Sequence, residues 1–159
     1  MNIDAAEKHE YLMRLALEQA KAAIEYNEVP IGAVIERGGE IIASGFNRRI
    51  IDADPTAHAE MVVIRQAAAK LGDWRLEGCT MAVTLEPCCM CSGAIVLARL
   101  PKLIYGATDP KGGAVDTLYR LCTDSRLNHC SEVVSGVLAE ECSRLLSDFF
   151  RAQRELGKK

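Results

Sequence analysis

No stretch of this 159-residue chain stays apolar for the roughly 20 residues that a membrane-spanning helix requires. Met1 to Glu10 carries acids and a histidine instead of a basic segment leading into an apolar core, so the pattern of an export signal is also missing. No Gly/Ser-rich or Pro-rich linker divides the chain. With 49% hydrophobic residues it reads as one globular domain, 1–159, able to bury a substantial core. Positive charge is not in excess: 19 Lys and Arg face 22 Asp and Glu, and a pI near 5.7 lacks the basic footprint that usually marks a nucleic-acid binder. Only local clustering can supply such a footprint. These absences argue against a membrane protein and point to a cytoplasmic one.

Cysteine, by contrast, is plentiful. Seven residues, an odd number, suit a reducing compartment better than a disulfide framework. Cys122, Cys130 and Cys142 read as ordinary thiols. Cys88 and Cys91 do not, because they complete the pattern H-x-E … P-C-x-x-C, written here as His58-Ala59-Glu60 and Pro87-Cys88-Cys89-Met90-Cys91. One imidazole and two thiolates make three zinc ligands, one fewer than the four of a closed structural site, so the last position is left for water. Bound zinc lowers the pKa of its water to about 7, and a nearby carboxylate, here Glu60, can carry protons between nucleophile and leaving group. A structural zinc knuckle would need a fourth protein ligand. Cys89 lies between two ligands in a helical first turn, where neighbours face different ways, which leaves Cys79 as the remaining candidate. A thioredoxin-like redox pair accounts for neither His58 nor Glu60.

The surrounding residues predict how these groups are held. Asp54-Pro55-Thr56 offers capping side chains and an early proline ahead of Met61, Val62, Ile64, Ala67 and Ala68, which predicts a buried helix entered just before or at His58. Pro87 opens a second helix with the apolar run Ala94 to Ala98, setting Cys88 and Cys91 three apart on one face, near an N-terminus whose dipole favours thiolate. Elsewhere, Leu12, Leu15, Ala16, Ala20, Ala23 and Ile24 recur at helical spacing, which predicts a helix from about Ala6 to Tyr26. Ile31 to Glu36 and Glu40 to Phe46 read as a hairpin turning at Arg37-Gly38-Gly39. Thr80 to Leu85, Lys102 to Ala107 and Glu132 to Val137 read as strands, and Val115 to Leu121 and Ala139 to Leu156 as helices. Strands separated by helices imply parallel pairing with helices on both faces.

The zinc motif, with Pro55-Thr56-Ala57 before it and Thr84-Leu85-Glu86 before the cysteines, resembles the cytidine deaminase superfamily. Further segments resemble one of its branches, the bacterial tRNA-specific adenosine deaminases: Glu28-Val29-Pro30-Ile31-Gly32-Ala33, Asn47-Arg48, Tyr105-Gly106-Ala107, Asp109-Pro110-Lys111-Gly112-Gly113, Asn128-His129 and Leu146 to Arg151. The Asp109 to Gly113 segment and the Phe149-Phe150 ending narrow the match to that branch. The resemblance implies a three-layer α/β/α fold with a five-stranded mixed sheet. It also implies a homodimer, one Zn2+ per subunit on His58, Cys88 and Cys91, no organic cofactor, and Glu60 as proton carrier. The substrate would be adenosine at the wobble position of a tRNA anticodon stem-loop, converted to inosine. The nearest alternative is a deaminase of free guanine, cytosine or cytidine.

By the same resemblance Asn47 hydrogen-bonds the target base, while the Ala59 backbone with Val29, Pro30 and Leu85 completes its pocket. Asp109, Lys111, Asn128, His129, Phe149, Phe150 and Arg154 then take RNA-facing positions. Each also has a plainer reading. Asn47 is a turn asparagine after a strand, Asp109 to Gly112 a turn, Phe149 and Phe150 the apolar face of the last helix, and His129 a satisfied surface histidine. Arg48 and Arg49 read as solvated charges. Arg144, Arg151, Arg154, Lys158 and Lys159 form the best candidate basic strip. Cys130 departs from the family pattern, which has a polar residue after Asn128-His129.

Overall fold

The computed structural model describes residues 4–157. Asp4 caps the first helix, α1 (Ala5–Ile24), by accepting from the Glu7 N–H at 2.8 Å. The hairpin follows as β1 (Gly32–Arg37) and β2 (Glu40–Phe46), with Gly38 and Gly39 both at positive φ in the turn. Then come α2 (Ala59–Leu71), β3 (Cys79–Leu85), α3 (Cys89–Leu97) and β4 (Lys102–Ala107). A single 3-10 turn (Leu121–Thr123), β5 (Glu132–Val134) and α4 (Ala139–Glu155) complete the described chain.

The five strands are ordered β2-β1-β3-β4-β5. β1 runs antiparallel to both β2 and β3, while β3, β4 and β5 are parallel. The sheet is therefore mixed: β2 and β3, joined through α2, share a direction, but β1 sits between them. Strand alternation divides the core into two layers. Val34, Ala82 and Ile104 point to one side and pack with Leu12, Met13 and Ala16 of α1 and Cys142 of α4. Ala33, Ile35, Met81, Val83, Leu103 and Tyr105 point to the other and pack with Val63 and Ala67 of α2 and Ile95 of α3. Fully burying side chains such as Leu12 or Met13 contributes about 1.5–3 kcal/mol each. At Gly32 a Cβ would overlap the Ala16 carbonyl, so α1 lies against β1 with no room for a side chain.

Two expected elements differ. The Val115 to Leu121 helix does not form, and the segment is a run of turns before the 3-10 turn. The N–H groups of Val115, Asp116 and Thr117 donate to the Glu86 carboxylate, and the later donors that would carry an i to i−4 ladder go elsewhere: Leu118 to the Gly113 carbonyl at 2.9 Å and Leu121 to that of Ala114 at 3.0 Å. β5 stops at Val134 rather than Val137, since Gly136 turns the chain at φ 76°.

Candidate active site

All three donor residues stand near the C-terminal end of β3. His58 is the N-cap of α2, in extended conformation, with no side-chain cap bond of its own. Asp54 does not cap this helix: its carboxylate accepts from the Thr56 N–H and hydroxyl at 2.8 and 2.7 Å, closing a turn that delivers the chain to His58. Cys88 is the N-cap of α3, and Cys91 lies buried in its first turn. His58 Nδ1 is 3.6 Å from Cys88 Sγ and 3.5 Å from Cys91 Sγ, and the donor atoms all lie within 4.8 Å of one another. Zinc bonds of about 2.3 Å to sulfur and 2.0–2.1 Å to nitrogen, at tetrahedral angles, require an N···S separation of about 3.6 Å. The donor set and its spacing thus fit one zinc ion. Cys79, at the opposite end of β3, is not among the donors, and among the described residues no fourth protein ligand joins the cluster.

Charge is arranged to suit a cation. Hydrogen bonding with Cys91 and then His58 brings the Cys88 thiol down to about 4, while the same contact with Cys88, together with burial, raises that of Cys91. The bond with Cys88 raises the His58 imidazole. Glu60, in the first turn of α2, is 4% exposed, and burial pushes its carboxyl up to about 7. A carboxyl at that value exchanges protons readily at neutral pH.

His58, Glu60 and Cys88 open onto a common cleft. Asn47, Leu85 and Asp109 line it, as do Ile31, Arg49 and Glu86. Asn47 is buried; its Nδ2 donates to the Val29 carbonyl at 3.3 Å and its Oδ1 accepts from the Arg49 N–H at 3.3 Å. One N–H and one lone pair of the amide are left over for a ligand. Ala59, buried, opens α2 beside His58, and Pro30 is buried next to Val29. A second depression joins Val29, Phe149 and Phe150 with Asn27, Ile50 and Gln153, and Arg49 borders both.

Other expected contacts lie apart. Asp109 accepts from the N–H groups of Lys111 and Gly112 at 3.0 and 3.1 Å, so the segment is a turn whose lysine is exposed. His129 Nε2 is 2.8 Å from the Leu100 carbonyl, just ahead of β4. Lys102 of β4 pairs with Thr80 at the start of β3, which puts His129, and exposed Asn128 with it, at the end of the sheet opposite the cleft within one chain. Cys130 is exposed beside them. Arg144, Arg151 and Arg154 are exposed on α4, with Arg151 paired to Asp148 at 3.3 Å; Lys158 and Lys159 lie outside the described residues.

Two buried carboxylates escaped sequence reasoning. Glu28, 1% exposed, accepts from the Ile50 and Ile51 N–H groups at 2.8 Å each. Glu86, 2% exposed, accepts from residues 109 and 115–117. Burial alone would raise the Glu86 carboxyl, but hydrogen bonds from Thr117, Asp116 and Asp109 outweigh it and hold it below the ordinary value. A lone acid closing an apolar strand was the available signal for Glu86.

Residues 6–107 match the family model for the cytidine and deoxycytidylate deaminase zinc-binding region. The chain is 54% identical over 149 residues to the tRNA-specific adenosine deaminase of Bacillus subtilis, covering 94% of this chain and 92% of that protein. It is 46% identical over 154 residues to the enzyme of the same name from Haemophilus influenzae, covering 96% and 89%. A structure from work on A-to-I editing by tRNA:A34 deaminases at the wobble position superposes with a TM-score of 0.82 at 47% identity, over 86% of this chain and 99% of that one. A guanine deaminase of Bacillus subtilis superposes less closely, with a TM-score of 0.61 at 29% identity, over 98% and 95%.

Proposed function

The chain belongs to the cytidine and deoxycytidylate deaminase zinc-binding family, and from that premise we propose that it hydrolyses adenosine to inosine at the wobble position of a tRNA anticodon. The observation that carries this reading is 54% identity, across 94% of the chain, to a tRNA-specific adenosine deaminase. A water oxygen replaces the amino group at C6 of the purine, and ammonia leaves. Zinc, held by His58, Cys88 and Cys91, supplies Lewis acidity that makes water nucleophilic at neutral pH.

The remaining work belongs to the protein's own groups. Glu60 accepts one proton from the attacking water and delivers it to N1 of the purine, then takes the second from the new C6 hydroxyl and passes it to the departing amine. Its burial favours this role, because a carboxyl raised to about 7 is both acceptor and donor near neutrality. Asn47 turns its spare N–H and lone pair toward the base edge, with Ile31 and Leu85 as apolar walls. Turning a base out of the anticodon loop costs a few kcal/mol. The adjoining depression with Phe149, Phe150 and Arg49 offers stacking surface and positive charge for neighbouring nucleotides, which offsets that cost.

Lys111, Asn128, His129 and Arg154 serve this reading as outer RNA contacts. The chain works as a single domain, 1–159, in the cytoplasm, and as a homodimer in which Asn128 and His129 of each subunit approach the other's cleft. Light scattering that returns a monomer at micromolar concentration would remove the dimer. The function is tested by incubating zinc-loaded protein with an anticodon stem-loop carrying wobble adenosine, beside free guanine, cytosine and cytidine. Inosine is the expected product. Ammonia from a free base with an untouched stem-loop would move the chain to the small-molecule deaminases.

A further inference from the structure

The segment 109–117, which reaches the cleft wall at Asp109, has no helix or strand, yet its backbone amides converge on one side chain. Glu86 Oε1 accepts from the Asp109 N–H at 3.0 Å and the Thr117 hydroxyl at 2.5 Å. Oε2 accepts from the N–H groups of Val115, Asp116 and Thr117 at 3.2, 2.9 and 3.0 Å. All these partners are donors, so only a group with acceptors at both ends satisfies them. Gly113 passes so close that a Cβ would overlap the carboxylate. The Ala114 N–H donates to the Pro87 carbonyl at 2.9 Å, and the Tyr105 hydroxyl secures Asp116 from β4 at 2.5 Å. Residues 86 and 87 thus hold the wall, while the adjoining Cys88 and Cys91 belong to the donor cluster. Asp109, at the wall's leading edge, lines the cleft together with Asn47 and His58.

We propose that Glu86 is a positioning residue for substrate: without touching the reacting atoms, its carboxylate fixes the Asp109–Thr117 wall against the cleft and so sets how the target base is gripped. A space-filling role makes the opposite prediction about substitutions. Glu86→Gln preserves shape but turns an NH2 group toward donors. Glu86→Asp is a methylene shorter but keeps acceptors on both oxygens. If the carboxylate positions the wall, Asp outperforms Gln; if Glu86 only fills space, Gln outperforms Asp.

The experiment measures zinc content, amide hydrogen exchange, and KM and kcat on the wobble-adenosine stem-loop for the full chain and both variants. Expected are one zinc per chain throughout, exchange at Val115, Asp116 and Thr117 about tenfold faster in Glu86→Gln, and a KM raised about tenfold with a smaller change in kcat. Glu86→Asp recovers part of both losses. Wild-type exchange and KM in Glu86→Gln, or Gln outperforming Asp, would overturn the proposal. Should Glu86→Gln fail to fold, Thr117→Val removes a single donor; a rise in KM of about threefold supports the clamp and an unchanged KM overturns it. The kinetic readout rests on the function proposed above, but the exchange readout does not. Wild-type protein inert on the stem-loop would sink that function and leave hydrogen exchange to decide the role of Glu86.

Discussion

Cys91 Sγ lies 3.5 Å from His58 Nδ1 across 33 residues of sequence, His58 being the N-cap of one helix and Cys91 in the first turn of another. Neither helix alone can make the pair. Replacing His58 with alanine is expected to abolish stoichiometric zinc binding and, with it, inosine formation, as measured by metal analysis and product assay. Exhaustive chelation of the wild type should produce the same loss, and returning zinc should restore activity to the wild type but not to the variant.

Glu60 is expected to separate chemistry from metal binding. Glu60→Ala should retain one zinc per chain and its circular dichroism while losing activity by about 10²- to 10⁴-fold, the range for a positioned general acid and base. Loss of zinc in that variant would show instead that Glu60 supports the metal.

Burial pushes the Cys122 and Cys142 thiols up to about 11 and about 12 from 9.0, so the fold favours their protonated forms. Below pH 9 this contribution is fully present. Between about pH 9 and 12 the unfolded chain sheds these protons first, and stability falls as pH rises. Denaturation midpoints measured at pH 8 and 10.5 should show the decline, and Cys142→Ala should lessen it. At pH 8 an alkylating reagent should modify exposed Cys89 and Cys130 and spare Cys122 and Cys142 until the chain unfolds.

Gly32 tests the contact between α1 and β1. Because a Cβ would overlap backbone atoms at Ala16 and Ala20, Gly32→Ala must push the helix off the sheet, at a cost of about 3 kcal/mol. Thermal unfolding should show a clear drop in Tm, whereas alanine at half-buried Gly93 inside α3, where nothing lies within 4 Å of the added methyl, should leave Tm at or slightly above wild type.

Much of the fold was legible from local pattern. The helical spacing of Leu12, Ala16 and Ala20, the Gly38-Gly39 turn and the strand run before Pro87 all reappear as α1, the hairpin and β3. Val115 to Leu121 misled because its apolar spacing is helical but the Leu118 and Leu121 N–H groups take the Gly113 and Ala114 carbonyls instead of their i−4 partners. Asp54 misled because its carboxylate closes a turn before the helix begins.

By itself the sequence determined the donor set: which residues can ligate zinc, which carboxylate stands near them, and which elements deliver them. These follow from side-chain chemistry and from periodicities of a few residues, which are local properties. Only the tertiary structure decided that Arg49, Ile31 and Glu86 share the cleft, and that His129 binds Leu100 at the opposite end of the sheet. The physical reason is that a buried donor or acceptor takes whatever partner the collapsed chain brings within about 3 Å, and sequence separation puts no bound on that choice.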